Sequence, residues 1–244
     1  MGVDHINVRD ATARGIKVGN TPGVLNGATA DLAFALILAT ARGIVKNDHY
    51  ARSPEFTVYD PGFFLGQEVH GSVIGIIGMG GIGEQIAKRA YAFDMKILYH
   101  NRNRNLSAEA KYDASYASLA ELLRRCDFVV LSCPLTSETR GLIGVAQLAQ
   151  MKPSAILVNV ARGGVVNTDA LTAALASRQI LRAGLDVTDP EPLPRDHPLL
   201  QSEHVTILPH LGSATVQTRT RMAELSVRNL MCGLRGQPLL HSVL

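Results

Sequence analysis

Three segments in the second half of the sequence place ionisable side chains just beyond apolar runs that predict buried strands. They contain Arg162, then Asp186 with Glu191 close behind it, and finally His210. Open parallel sheets bind ligands at the carboxyl ends of their strands, so we expect these side chains to converge. The set would suit a reductase, because an arginine binds a carboxylate and polarises an adjacent ketone while a histidine donates a proton near neutral pH. A nearby carboxylate favours the charged form of that histidine.

Each of these residues also has an ordinary structural interpretation. Arg162 could form a surface ion pair, Glu191 could be a loop residue, and His210 could simply begin a helix. The reductase interpretation therefore depends on a nicotinamide cofactor lying nearby.

A glycine-rich stretch predicts such a cofactor. An apolar β-branched run at 72–77 leads into Gly78, Gly80 and Gly83, which have G-x-G-x-x-G spacing, and an amphipathic pattern follows at once. This is the strand, turn and helix context of the dinucleotide-binding fingerprint, in which phosphates bind the unpaired N–H groups at the start of the helix. A plain glycine-rich turn is the alternative.

The end of the next apolar run predicts which cofactor binds. About twenty residues after the glycines, NAD-binding folds carry an acidic residue that accepts hydrogen bonds from the adenosine ribose. Here the segment 98–104 has no carboxylate and contains Arg102, Asn103 and Arg104. The two arginines would form charge-assisted hydrogen bonds with a 2′-phosphate. We therefore predict NADP(H), with NAD(H) less favoured; two solvated loop arginines are the alternative.

The elements that would position these residues follow from hydrophobic periodicity. Six apolar runs predict strands and mostly alternate with helical patterns, which is typical of an α/β fold with a doubly wound parallel sheet, the Rossmann arrangement. The predicted strands are 73–77, 96–99, 127–131, 155–160, 182–187 and 205–208, and the helices between them are 118–125, 144–151 and 167–178.

The two ends of the chain add further elements. An almost wholly apolar pattern predicts a buried helix from Thr29 to Lys46. A second long helix is predicted from Ser213, its N-cap, to a stop at Gly236. Residues 15–20 predict one short strand, which cannot bury itself without a partner sheet.

Composition restricts the class of protein. With 46% hydrophobic and 18% charged residues, the 244-residue chain can form a packed core. Its net charge of +3 comes with scattered arginines and only 5% aromatic residues, which argues against a nucleic-acid surface. The longest apolar run, 32–41, is about half of a membrane span and predicts no membrane association. The three cysteines lack metal-ligand spacing, which predicts reduced thiols, a cytoplasmic location and no bound metal.

Four ordered motifs together resemble the D-isomer-specific 2-hydroxyacid dehydrogenases. They are the glycine motif 78–83, Asn159-Val160-Ala161-Arg162-Gly163, Gly184-Leu185-Asp186-Val187 followed by Glu191-Pro192, and Pro209-His210-Leu211-Gly212-Ser213. Residues 184–194, 197–200 and 207–215 look most like the glyoxylate/hydroxypyruvate reductases of that family. The resemblance covers essentially the whole chain and implies reduction of a small 2-oxoacid to the 2-hydroxyacid by hydride transfer.

The resemblance also implies a role for each site residue. Arg162 would bind the carboxylate and keto oxygen of the 2-oxoacid, His210 would be the general acid, and Glu191 would be its partner. The backbone near Met1 and Gly2 would help to bind the substrate carboxylate, and Asp186 would hold the nicotinamide carboxamide. The other implied cofactor contacts are Gly80, Gly81 and Ile82 at the pyrophosphate, with Gly81 where the family more usually has arginine, Pro134 beside the adenosine, and Val160 and Gly212 around the nicotinamide.

A domain layout follows from the same resemblance. Residues 1–28 would be the remnant of a flavodoxin-like substrate domain, 29–50 an interdomain helix at a homodimer interface, 51–212 the dinucleotide-binding domain, and 213–244 a C-terminal helix returning toward the substrate domain. Because family members carry most of the substrate lobe before the position of Gly2, we expect this chain to bind NADPH with weak or absent turnover. The alternative to a reductase is accordingly a truncated dinucleotide-binding or regulatory form.

Overall fold

The computed structural model describes residues 2–243, and its centre is one sheet of seven parallel strands. The strands are β1 (Val73–Ile77), β2 (Lys96–His100), β3 (Ser115–Tyr116), β4 (Phe128–Leu131), β5 (Ile156–Asn159), β6 (Arg182–Leu185) and β7 (Val205–Ile207). Their spatial order is β3-β2-β1-β4-β5-β6-β7, which confirms the doubly wound Rossmann sheet. All six predicted strands are present, and β3 is too short to produce a periodic signal.

Helices cover both faces of this sheet. The α-helices within residues 2–243 are α1 (Val8–Ala13), α2 (Asn26–Arg42), α3 (Ile44–Ala51), α4 (Gly81–Ala92), α5 (Leu106–Tyr112), α6 (Leu119–Arg125), α7 (Val145–Leu148), α8 (Thr168–Ala176) and α9 (Val216–Leu234), and 3-10 turns lie at Gly163–Val165 and Pro198–Gln201. One core layer lies between the sheet and α2, α4 and α5, and the other between the sheet and α6, α7 and α8. Successive strand residues alternate between the layers, so that Ile76 packs in the first and Ile77 in the second.

The single helix predicted from Thr29 to Lys46 is instead two helices. α2 ends at Arg42 and is capped by Gly43, whose φ of +58° is left-handed, and α3 continues at an angle of 58°. α2 has the predicted buried character, whereas α3 contains no buried residue. Among residues 2–243, no single helix is long and apolar enough to span a membrane, although α2 and α3 meet that criterion when they are counted as one bent pair.

The start of the chain contains a helix that its polar sequence did not indicate. α1 begins after Asn7, whose side chain accepts a hydrogen bond from the Asp10 N–H (3.1 Å). The strand predicted at 15–20 is wrong, because the segment contains a single bridge residue, Gly19, in an isolated antiparallel bridge with Ser242. The Val243 N–H also donates to the Val18 carbonyl (2.9 Å), so the C-terminal segment is the hydrogen-bonding partner of this stretch.

The last helix begins slightly later than predicted. Thr215, not Ser213, is the N-cap of α9, and its hydroxyl accepts a hydrogen bond from the Thr218 N–H (3.1 Å). The stop at Gly236 is confirmed, since this glycine has a left-handed φ of +72° immediately after the C-cap.

Candidate active site

The predicted site residues lie on loops that follow the carboxyl ends of the strands, at one edge of the sheet. Gly78 follows β1, Arg102 follows β2, Pro134 follows β4, Arg162 follows β5, Asp186 follows β6, and His210 follows β7. The cofactor candidates and the catalytic candidates therefore share one edge, as expected for a parallel sheet. Met1 lies outside the described residues.

The glycine loop between β1 and α4 allows a ligand to approach its backbone closely. Gly78 has a φ of +104°, and a Cβ there would lie 2.5 Å from the Cys133 nitrogen, so only glycine fits. Gly80 is the N-cap of α4, with no side-chain capping bond and no atom within 4 Å of the place a Cβ would take. Among the described residues, the start of α4 is thus open at the positive end of the helix dipole. These features fit a dinucleotide pyrophosphate.

Two asparagines tie the loop after β2 to the glycine loop. The Asn101 side-chain oxygen accepts a hydrogen bond from the Met79 N–H (3.0 Å). The Asn105 amide donates to the Met79 carbonyl (3.0 Å) and to Glu84 Oε1 (2.8 Å), while its oxygen accepts from the Ala108 N–H. The residues between these two anchors, which include both predicted phosphate-binding arginines, are therefore held at a fixed place beside the glycine loop.

The two arginines that were predicted to bind a 2′-phosphate have different surroundings in the structure. Arg104 already pairs with Glu109 on α5 through two hydrogen bonds, of 2.6 and 3.0 Å, and the Tyr99 hydroxyl donates to the same carboxylate (2.5 Å). The hydrogen bonds from Arg104 and then from Tyr99 hold the pKa of Glu109 below its usual value. Arg102 and Asn103 are exposed. Arg102 is thus the better placed of the two arginines to receive a phosphate.

The other cofactor candidates have less distinctive surroundings. Gly81 faces the side chain of Asn26 at the start of α2, and Ile82 is half-buried. Pro134 is exposed, and its carbonyl accepts a hydrogen bond from the Thr139 hydroxyl (2.6 Å). Val160 is buried. Their contacts with a cofactor stay predictions.

Arg162 is held from two sides. Its Nη1 donates to the Ala161 carbonyl (2.8 Å), and its Nε lies 3.1 and 3.2 Å from the two carboxylate oxygens of Asp4. Gly2 lies directly against the guanidinium, because a Cβ at this position would be 2.5 Å from Nη2. Gly2 and Arg162, both predicted to bind the substrate carboxylate, therefore lie side by side, and that binding stays a prediction. Asp4 gave no signal in the sequence, since 158 residues separate it from its partner.

The predicted histidine and carboxylate are brought together. His210 Nδ1 lies 2.6 Å from Glu191 Oε1, and the other Glu191 oxygen accepts a hydrogen bond from the Thr188 N–H (3.2 Å). Both side chains remain partly exposed, at 45% and 41%. With Nδ1 engaged by the carboxylate, Nε2 is the ring nitrogen available for proton transfer.

Asp186 has a structural function that the sequence did not indicate. Its carboxylate is buried, and its two oxygens accept hydrogen bonds from the N–H groups of Leu211 (2.6 Å) and Gly212 (2.8 Å). The His210 N–H also donates to the Asp186 carbonyl (2.9 Å). Asp186 therefore fixes the loop that carries the histidine, and its predicted contact with the nicotinamide carboxamide stays a prediction.

The cysteines have no part in this arrangement. Cys126, Cys133 and Cys232 are free thiols. Burial, followed by the charge of Asp127, raises the pKa of Cys126 to about 12, and burial raises the pKa of Cys133 to about 11. Both thiols are therefore protonated near neutral pH and chemically inert. The cytoplasmic location stays a prediction from cysteine usage.

Comparison with known proteins was made for the whole chain. Residues 34–212 match the family described as D-isomer specific 2-hydroxyacid dehydrogenase, NAD binding domain. The glyoxylate reductase of Pyrococcus furiosus is 50% identical over 241 residues, which are 97% of this chain and 71% of that protein. The crystal structure of the TT0316 protein from Thermus thermophilus has a TM-score of 0.94 at 46% identity and covers 100% of this chain and 76% of that one. An acyclic imino acid reductase in complex with NADPH and D-Arg has a TM-score of 0.88 at 29% identity, with coverage of 100% and 76%.

Replacement of Asp186 by asparagine is expected to lower the free energy of unfolding by about 1–3 kcal/mol. The amide keeps one acceptor oxygen but turns an NH2 group toward a buried backbone N–H, which then has no partner. Urea denaturation followed by circular dichroism measures the change. Asp189→Asn, at an exposed position shortly after Asp186, is the matched control and should change stability by less than about 0.5 kcal/mol. Equal effects of the two substitutions would contradict the anchoring function.

Proposed function

Because the chain belongs to the D-isomer-specific 2-hydroxyacid dehydrogenase family, we propose that it reduces a small 2-oxoacid, glyoxylate or hydroxypyruvate, to the 2-hydroxyacid. The observation that carries this proposal is the His210–Glu191 pair, which lies on the loops after β6 and β7, the next two strands of the sheet beyond β5, which presents Arg162. The names of similar proteins, glyoxylate reductases among them, support the substrate class.

In this proposal Arg162 binds the anionic end of the substrate. Its planar guanidinium matches a carboxylate with two parallel hydrogen bonds, and its charge also polarises the neighbouring keto group. The contacts of Arg162 with Asp4 and Ala161 limit its rotation, so little conformational entropy remains to be lost when substrate binds.

His210 is proposed as the general acid. Glu191 accepts from Nδ1, which orients the ring and leaves Nε2 as the atom that gives a proton to the keto oxygen. The Asp186 anchor keeps the histidine loop in place during this transfer. As the keto carbon is reduced, its oxygen gains negative charge, which the Nε2 proton neutralises.

A nicotinamide dinucleotide supplies the hydride when it is bound. The glycine loop would hold its pyrophosphate at the start of α4, since Gly80 leaves the space above that backbone open. We propose NADP(H) in preference to NAD(H), because the end of β2 has no carboxylate and presents Arg102 instead. The NADPH complex of the imino acid reductase supports a phosphorylated cofactor in a protein of this fold.

We also propose a homodimer that uses α3 and the loop after it. This surface carries large hydrophobic side chains that are each at least 44% exposed: Ile44, Val45, Phe56, Val58, Tyr59, Phe63 and Leu65. Phe63 and Phe56 pack against Tyr50. The Tyr50 ring stacks on that of Phe63, with 4.3 Å between centroids, and also contacts Phe56. A patch of this composition is typical of a protein interface.

The activity is tested by NADPH oxidation with glyoxylate, hydroxypyruvate or 2-ketogluconate. We expect His210→Asn to lower kcat by roughly 10²–10⁴-fold, because general acid catalysis is lost. Arg162→Lys should raise the KM for the oxoacid about 10- to 100-fold, the loss of about 1.5–3 kcal/mol that a charged hydrogen bond contributes. His70→Asn, at an exposed histidine that pairs with Asp94, is the control.

One outcome of that assay favours the alternative function. A chain that binds NADPH with normal fluorescence enhancement, yet reduces none of the three oxoacids, would be a dinucleotide-binding or regulatory form. Turnover that does not change in His210→Asn would contradict the proposed mechanism.

Cofactor preference is tested with Arg102→Ala. We expect the KM for NADPH to rise about 10- to 100-fold while the KM for NADH stays within about twofold, because only NADPH has the 2′-phosphate that the arginine would contact. Steady-state kinetics with each cofactor give both values. Arg124→Ala removes an exposed arginine on α6 and is the matched control. A wild-type preference for NADH, or equal effects on both cofactors, would refute the NADP(H) proposal.

If the exposed hydrophobic surface is the dimer interface, charged side chains introduced there should dissociate the dimer. Val58→Glu combined with Leu65→Glu should convert a dimer into a monomer, since two unpaired carboxylates would be buried at the interface. Sedimentation velocity gives the molecular mass. Val145→Glu, which adds a charge at an equally exposed position on α7, should leave the mass unchanged. A monomeric wild-type chain would rule the dimer out.

A further inference from the structure

The best-placed partner of Arg162 comes from the other end of the chain. Asp4 lies in the turn before α1 and pairs with the guanidinium through Nε, at 3.1 and 3.2 Å. Only 29% of the Asp4 side chain and 26% of the Arg162 side chain are exposed, so this pair is shielded more than most ion pairs of the molecule. Such shielding strengthens a charge pair compared with one in open solvent.

The contacts of Arg162 divide its donors into two groups. Nε is engaged by Asp4, and one N–H of Nη1 by the Ala161 carbonyl. Among the described residues, Nη2 makes no hydrogen bond. A guanidinium has five N–H groups, so donors on both Nη atoms remain available at the end of the fork. Asp4 thus occupies the side of the guanidinium that a bidentate ligand on the two Nη atoms would not need.

The position of Gly2 supports the same division. A Cβ at Gly2 would lie 2.5 Å from Arg162 Nη2 and 2.5 Å from Asp4 Oδ1, so a side chain at this position would displace the guanidinium or the carboxylate from the observed pair. The segment 2–4 therefore places a backbone without a side chain beside the available donor and a carboxylate beside the engaged one.

Asp4 is ionised at neutral pH. Burial by itself would raise the pKa of Asp4, but a backbone hydrogen bond, the charge of Arg162 and the hydrogen bond from it outweigh burial and lower the pKa. The negative charge has two opposite consequences for an anionic substrate. It fixes the guanidinium, and it also reduces the positive charge that attracts a carboxylate.

We propose that Asp4 is a positioning residue, which holds Arg162 by its Nε side and leaves the two Nη atoms to bind the carboxylate of a 2-oxoacid. This role rests on the proposed function. It differs from a competing role, in which Asp4 would block the arginine and would have to leave before substrate binds. The two roles predict opposite changes in substrate affinity when the carboxylate is removed.

Asp4→Ala, Asp4→Asn and Asp4→Glu are compared with wild type in three measurements. These are the KM and kcat for glyoxylate, the affinity of the NADPH-loaded protein for oxamate, an analogue that is not reduced, and the affinity for NADPH alone. Asn7→Ala removes the cap of α1 in the same segment without touching Arg162 and is the matched control.

If Asp4 is a positioning residue, Asp4→Ala raises the KM for glyoxylate and the Kd for oxamate by about tenfold or more, because the guanidinium loses one charge-assisted hydrogen bond that holds it in place. Asp4→Asn, whose oxygen still accepts from Nε, and Asp4→Glu, which keeps the charge, recover part of this loss. The Kd for NADPH stays unchanged in all variants, which also reports that they are folded. Asn7→Ala leaves both substrate constants unchanged.

The contrary results are distinct from one another. Tighter binding of oxamate by Asp4→Ala and Asp4→Asn would show that Asp4 competes with the substrate, and unchanged binding would reduce the pair to a surface ion pair. Either result overturns the positioning role and leaves the proposed function intact. A wild-type chain that binds NADPH but neither glyoxylate nor oxamate would contradict the proposed function itself.

Discussion

A buried carboxylate must be hydrogen-bonded, and this constraint at Asp186 determines the geometry of the loop that carries His210. The two oxygens of Asp186 find their donors in the N–H groups of Leu211 and Gly212, which belong to the loop after the neighbouring strand. Gly212 is fixed further because its carbonyl accepts a hydrogen bond from the Thr29 hydroxyl on α2 (3.1 Å). Since any movement of this loop would leave a buried charge without partners, His210 is held at a φ of +59°, which few residues adopt.

Polar side chains also hold the backbone of the loops that follow the carboxyl ends of other strands. At the end of β5, the Asn159 amide donates to the Arg162 carbonyl (2.9 Å) while its oxygen accepts from the Ala161 N–H (3.0 Å). At the end of β2, Asn101 and Asn105 bind the backbone of Met79. A short polar side chain at a strand end can satisfy the backbone groups of the loop that follows, so the loop needs no helix or strand of its own to be rigid.

How much the sequence could predict depended on the range of the interactions. Strands buried on both faces leave a strong apolar signal, and the glycine spacing reports a local turn, so both were predicted correctly. The break at Gly43 was missed because the apolar pattern continues through Ile44 and Val45, although both are about half exposed. Asp4 and Glu109 could not be found from local patterns, since each acts through an ion pair whose geometry exists only in the folded chain. The prediction of a strand at 15–20 was wrong for a related reason. The segment forms one bridge, to Ser242, and a partner at the far end of the sequence leaves no local pattern.

The anchors on either side of Arg102 have a consequence for protein engineering. Asn101 and Asn105 fix the ends of the intervening segment to Met79, and Asn105 also reaches Glu84 on α4. The three residues between them can therefore be exchanged as a cassette, with the backbone path set by the flanking asparagines rather than by the sequence inserted. Arg104 is the exception within that cassette, because its removal would leave Glu109 with only the Tyr99 hydroxyl as a hydrogen-bond donor. A redesign of the cassette that alters residue 104 therefore also changes the hydrogen bonding of Glu109.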